Sequence, residues 1–242
     1  MTIQQVNIDW LAPENVHAVS TLRTGGISKT PYNSFNLANH VGDDELSVVK
    51  NRNRLRSFLN LSTNPVWLEQ IHSNKIVCLD EKPINLQADA SYSSNPGIIC
   101  AVLTADCLPI LICNESGTKV AAIHAGWRGL LSGIIENTIK VLNDSDLLAW
   151  LGPAIGPNHF EVGKEIQVAF CKKAGLFSNA FRIQNNNKWL MDIYQLSRII
   201  LAERGVKKVF GGEFCTVSEK DRFFSYRRDH KTGRMATLIW RN

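Results

Sequence analysis

The sequence predicts a mixed α/β protein of one domain spanning residues 1–242, with β-sheets that are mixed or antiparallel. Three observations predict it. Between Ile98 and Gly129 lie three apolar runs, IICAVLT, CLPILIC and KVAAIHA, each of strand length and separated by short polar or acidic breaks. From Gly129 to Asn143, apolar residues recur at three- and four-residue steps, as on an amphipathic helix. Strand-like and helix-like segments are interspersed without regular βαβ alternation, and no linker, repeat or low-complexity stretch divides the chain.

Taken in order, residues 16–22 (VHAVSTL) read as a strand running into the glycine turn Arg23-Thr24-Gly25-Gly26. Residues 33–44 are polar, turn-rich and contain His40. Residues 45–60 have helical spacing, with Val49, Leu55, Phe58 and Leu59 inward and Asp43 or Asp44 as N-cap. Residues 66–72 and 75–79 predict two strands paired through Ser73-Asn74, with His72 at the turn, and residues 83–95 read as a loop holding Asp89. After the central runs, the helix over 129–143 places Leu131, Ile134, Ile135, Thr138, Ile139 and Leu142 on one face. A strand over 147–151 ends at the breaker-rich GPAIGPNHF, and a helix over 161–174 stops at Gly175. A third helix is predicted over 189–204, followed by short strands at 206–210 and 214–217. A basic loop covers 222–234, and residues 235–240 form a closing strand.

Composition narrows the function classes. Hydrophobic content of 44% and charged content of 20% are those of an ordinary globular chain. The net charge of +5 is mild and the basic residues are scattered, which argues against nucleic-acid binding. No apolar run approaches the roughly 20 residues of a membrane helix. The N-terminal residues lack the pattern of a signal peptide, and six irregularly spaced cysteines fit free thiols in a reducing compartment, so a cytoplasmic protein is expected.

His72, Cys107 and His124 each sit at a strand end or turn. An N, S, N donor set suits zinc, and three protein ligands leave a fourth position for water or substrate. The alternative is two hydrogen-bonded structural histidines and a cysteine acting as a small buried hydrophobe. His124-Ala-Gly-Trp-Arg-Gly129 joins an apolar strand directly to a helix, so backbone N–H groups there and Arg128 are candidates for anion binding. Asp89 and Asp106 are candidates to orient a ligand histidine or to move a proton, although Asp in loops more often caps a turn. Cys107 is also a candidate nucleophile, with a histidine as base and Asp106 as orienter. Cys78, Cys100 and Cys113 lie in apolar runs and are expected in the core, while Cys171 and Cys215 carry no assigned role.

QIHSNKIV, ADASYS, LTADCLPILI, AAIHAGWRGL, LGPAIGP and FFSYRRDHKTGRMATLIW together resemble, in the same order, the laccase-domain purine nucleoside phosphorylases. That family also carries the labels polyphenol oxidase and peptidoglycan editing factor. With RTGGIS and NLANHVGDD the resemblance covers nearly the whole chain, and its one departure is Ala38-Asn39 before His40, where relatives commonly carry Gly or Leu. It implies mixed sheets sandwiched by helices, not a cupredoxin. It implies zinc held by His72, Cys107 and His124, with copper the weaker expectation because the chain has no HxH pair. It further implies phosphorolysis of adenosine, inosine, guanosine and methylthioadenosine to base and ribose 1-phosphate, with adenosine deamination beside it. On that reading Arg128 and Arg23 would neutralise phosphate, His40 would contact substrate, and Asp89 would transfer protons. A cysteine hydrolase acting on peptidoglycan precursors is the competing expectation. The subunit is expected to be a monomer or a homodimer.

Overall fold

In a computed structural model, residues 2–185 and 187–242 are described. The strands and helices run β1 (Val16–Ser20), α1 (Glu45–Phe58), β2 (Val66–Trp67), β3 (Ile76–Cys78), β4 (Ala90–Ser93), β5 (Cys100–Thr104), β6 (Leu108–Asn114) and β7 (Val120–Ala125). They continue with α2 (Trp127–Ser132), α3 (Ile134–Leu142), β8 (Leu147–Leu151), β9 (Glu161–Gly163) and α4 (Lys164–Lys173). A 3-10 turn (Gly175–Ala180), β10 (Phe181–Asn185), β11 (Lys188–Met191), α5 (Ile193–Glu203), β12 (Lys208–Gly211), α6 (Tyr226–Asp229) and β13 (Met235–Arg241) complete the chain.

The three central apolar runs are β5, β6 and β7. β6 and β7 pair antiparallel at the centre of a six-stranded mixed sheet, ordered β12-β8-β6-β7-β4-β3. β5 lies in a second sheet, ordered β1-β13-β5-β2, and a small third sheet runs β10-β11-β9. Strand alternation sorts β6 to two faces: Ile110 and Ile112 meet α2, α3 and α5, while Leu111 and Cys113 pack against Cys100 and Val102 of the second sheet. The outer face of that second sheet carries Ala101, Leu103 and Leu238, covered by Leu55 of α1 and by Phe35 and Leu37 of the irregular segment before it. Because both faces of these strands are covered, their sequences read as unbroken apolar runs rather than alternating ones. The result is a mixed α+β fold of sheets sandwiched between helices.

Several expectations needed correction. The helix over 129–143 is two helices, broken at Gly133, which adopts φ 95°. Residues 66–79 do not form a hairpin: β2 pairs in parallel with β5, β3 pairs in parallel with β4, and the segment between them crosses from one sheet to the other. β4 itself lies inside the stretch expected as loop. Residues 161–163 and 188–191 are strands of the third sheet, so α4 begins at Lys164 and α5 at Ile193, where Asp192 accepts the N–H of Gln195. Residues 214–217 form no strand. α6, capped by Ser225, interrupts the basic loop. On α1 the inward residues are Val48, Asn51 and Leu55, while Val49 and Phe58 face solvent. That helix covers an irregular loop whose polar groups need partners: Asn51 donates to Ser28 Oγ and to the Ser34 and Asn36 carbonyls, and accepts the Ile27 N–H. Asp44, one of the two expected caps, does cap α1 through the Ser47 N–H.

Candidate metal centre and its cavity

The three expected ligands come from three different junctions. His124 is on β7, one residue before its end, where pairing with β4 and β6 fixes it; Cys107 immediately precedes β6. His72 lies in the connection between the sheets at φ 58°, a left-handed conformation unusual for a residue with a side chain. Their ligating atoms lie within 4.8 Å of one another, the one such group among the described residues. His72 Nε2 is 3.9 Å from Cys107 Sγ, and the two imidazoles meet edge to face with centroids 4.8 Å apart.

Asp89, one residue before β4, holds two of the ligands. Its carboxylate is fully buried and accepts His124 Nδ1–H at 2.8 Å and the His72 backbone N–H at 2.9 Å. The Ser73 N–H and hydroxyl, at 2.6 and 2.8 Å, and the Ile71 N–H complete its shell. These donors explain how His72 is kept in a left-handed conformation. They also leave His124 Nε2 as the nitrogen free to ligate, the usual arrangement for a carboxylate-oriented metal histidine. Burial favours the neutral acid of Asp89, but the His124 and Ser73 hydrogen bonds outweigh it and hold its pKa below the ordinary value.

Cys107 and His124 bias each other in the same way. Burial raises the thiol, but the His124 charge and hydrogen bonding to both histidines overcome it and bring its pKa down. Burial lowers His124, and Cys107 with Asp89 overcomes it and brings its pKa up. The thiolate is the metal-binding form of cysteine. Gly126 closes the site from behind: a Cβ there would lie 3.2 Å from both Cys107 Sγ and His72 Cδ2, so a side chain would press on two ligands. Two imidazoles, a thiolate-prone cysteine and an orienting carboxylate fit a divalent metal such as zinc.

The cluster opens on a cavity of about 510 Å³. His40, Asp106 and Arg128 line it together with the three cluster residues. Arg128 is exposed and stacks on Trp127, 4.3 Å from the ring centroid. The Asp106 carboxylate is already engaged, accepting Thr216 Oγ1–H and the Arg227 N–H, both at 2.6 Å. It thereby ties the turn before Cys107 to the C-terminal segment. Arg23 is not part of this cavity: its guanidinium donates to the Asn33 and Lys220 carbonyls and stacks on Phe224. All six cysteines are free, and Cys215 lies outside the cavity, 3.4 Å from His159 Nδ1.

Sequence reading missed Arg227 and Arg234, which line the cavity from the segment recognised only as a basic loop. It also missed Gln70, whose side chain donates to the Leu103 carbonyl and accepts its N–H, both at 2.8 Å, prolonging the β2–β5 pairing toward His72. The aromatic and apolar walls come from Trp127, Phe160, Ile155 and Tyr226. No local pattern marks these as cavity residues, because the backbone breaks that aim them lie far apart in sequence.

The chain is similar to known proteins over nearly its whole length. The purine nucleoside phosphorylase YfiH of Escherichia coli K12 is 53% identical over 234 residues, covering 96% of each chain. A Pseudomonas aeruginosa protein, purine nucleoside phosphorylase PA4543, is 48% identical with the same coverage. The crystal structure of Neisseria meningitidis protein NMB0706 superposes with a TM-score of 0.94 at 45% identity, over 100% of both chains. None of the described architecture is that of a cupredoxin. Residues 17–242 match the family model described as multi-copper polyphenol oxidoreductase laccase, and the chain belongs to that laccase-like family.

Proposed function

We propose that this single domain, residues 1–242, is a zinc-dependent purine nucleoside phosphorylase. Its substrates would be adenosine, inosine, guanosine and methylthioadenosine, cleaved with phosphate to base and ribose 1-phosphate. Hydrolytic deamination of adenosine would be a second activity of the same site, and the cytoplasm its place of action. The observation that carries this reading is the His72–Cys107–His124 cluster at the floor of a cavity able to hold a nucleoside, in a chain whose relatives bear the phosphorylase name over 96% of their length.

His72, Cys107 and His124 would hold the metal, which supplies Lewis acidity toward water or phosphate. Asp89 orients His124 and the His72 backbone and, buried and saturated with donors, serves as a positioning group rather than a proton shuttle. Asp106 fixes the turn that presents Cys107. Trp127, Phe160 and Tyr226 offer flat apolar surface to a purine. In phosphorolysis a phosphate oxygen bonds to C1′ as the C1′–N9 bond breaks and the base leaves with a proton. In deamination water adds at C6 and ammonia departs.

The test measures metal content and follows products from adenosine with and without phosphate. Stoichiometric zinc and phosphate-dependent release of adenine are expected, and Cys107→Ala should lose both. Full phosphorolysis by Cys107→Ala would refute the scheme. The depressed Cys107 thiol beside a charged His124 favours one second reading, a cysteine-dependent amide hydrolase suited to editing peptidoglycan. Activity that survives chelation but not thiol alkylation would select it, and stoichiometric copper with phenol oxidation would select the oxidase.

A further inference from the structure

Four arginines fall between residues 222 and 234, and they divide cleanly. Arg222 pairs with Glu219 at 2.6 Å and Arg228 with Asp229 at 2.7 Å. Arg227 and Arg234, the two that line the cavity, are anchored differently. Arg227 donates to the His159 and Glu161 carbonyls, and Arg234 donates through Nη1 to those of Thr232 and Gly233. Among the described residues neither forms an ion pair with a carboxylate. Carbonyls fix a guanidinium in place without cancelling its charge, and each group keeps N–H donors to spare.

Arg234 is held with particular care. Its backbone N–H donates to Oδ1 of the fully buried Asn36, which also accepts the Ala38 N–H two residues before His40. Gly233 allows the approach, since a Cβ there would lie 2.7 Å from the Phe224 ring and 2.9 Å from Asn36. One buried amide therefore sets Arg234 and the His40 loop in register on the same cavity. Burial, then Arg234 and Arg52, hold the His40 imidazole below its usual pKa. Cys107 and Asp106 act favourably on the Arg234 charge, although burial prevails and lowers its pKa.

We propose that Arg234, with Arg227 and His40 beside it, forms the subsite for a tetrahedral oxyanion in the cavity of the His72–Cys107–His124 cluster. On the phosphorylase reading, on which the identity of the anion rests, that anion is inorganic phosphate. Arg128 stacks on Trp127 and is left out of this subsite, and Arg23, held by the Asn33 and Lys220 carbonyls outside the cavity, plays no part in holding the anion.

Equilibrium dialysis of zinc-loaded protein against radiolabelled inorganic phosphate tests the subsite without turnover. Wild type should bind about one phosphate per chain, displaceable by sulfate, and Arg234→Gln should weaken binding about tenfold or more, the scale of a lost charge-assisted contact. Arg234→Lys should fall between, and Lys231→Gln, an exposed charge outside the cavity, should match wild type. If thermal melting shows Arg234→Gln unfolded, Arg227→Gln and His40→Gln carry the same test. Phosphate binding unchanged in the folded variants, or absent from wild type, overturns the subsite. Steady-state kinetics separates the two levels: the subsite predicts a raised phosphate KM with the adenosine KM kept within about twofold. Phosphate bound through Arg234 without any ribose 1-phosphate formed would overturn the phosphorylase reading and leave the oxyanion subsite standing.

Discussion

Asp89 shows how one buried side chain organises the centre. Its carboxylate receives the His124 imidazole, the His72 backbone and three further donors of Ile71 and Ser73. Removing its charge while keeping its shape leaves those donors short of an acceptor, so Asp89→Asn should destabilise the metal-free protein by about 3–5 kcal/mol near neutral pH. The sign of the pH dependence follows from the depressed folded pKa. The carboxylate's contribution is fully present above the ordinary aspartate pKa of about 4 and is lost as pH falls through the lower folded value. Urea unfolding of wild type and Asp89→Asn should therefore give a gap that is full at pH 5 and shrinks below about pH 4. A gap that widened on acidification would contradict the assigned role. Asp89 was legible in the sequence as an acceptor for a ligand histidine. Its hold on the His72 backbone was not, because that depends on β4 lying beside the crossover between sheets.

The elements most legible in sequence were those buried on both faces. β5, β6, β7 and β8 stand where their apolar runs place them, since continuous apolar character has few alternatives once the length is that of a strand. Short strands on the periphery were misread: β9 and β11 each run into a helix and were absorbed into its periodicity. The helix after His124 was misread at Gly133, whose left-handed φ splits it into α2 and α3. The junction between β7 and α2 makes a testable demand. Gly126 has an ordinary φ of −77°, so an alanine there meets no backbone strain, only the Cys107 and His72 side chains at 3.2 Å. Gly126→Ala should fold with a melting temperature near that of wild type, yet bind zinc about tenfold more weakly, the scale of disturbing a ligand's support. Zinc competition with a chromophoric chelator reads this directly, and undiminished affinity would mean the ligands have room to spare.

At the scale of the molecule, the cavity is a meeting point of segments remote in sequence, and few bonds hold them together. The family resemblance in sequence ordered the motifs correctly, but it could not show that Arg23 turns away while Arg227 and Arg234 turn in, since that outcome depends on which carbonyls each guanidinium finds. Asp106 is the principal tie. It adopts φ 95°, its carbonyl accepts the Ile155 N–H at 2.9 Å, and its carboxylate takes Thr216 Oγ1–H and the Arg227 N–H. Three walls of the cavity, the turn before β6, the segment after β8 and the approach to β13, thus converge on one residue. Thr216 is fully buried and outside the cavity lining, so its replacement by the near-isosteric valine touches neither metal nor substrate. Thr216→Val leaves one buried carboxylate oxygen without a donor and should cost about 1–3 kcal/mol of stability. Zinc should remain stoichiometric, because the cluster is held by Asp89 and the sheet strands rather than by this bond. The phosphate KM should rise, because Arg227 loses its fixed distance from Cys107. Loss of zinc together with stability would show that the Asp106 tie supports the metal centre itself, whereas a raised KM on an intact zinc site would mark it as the joint that holds the substrate walls.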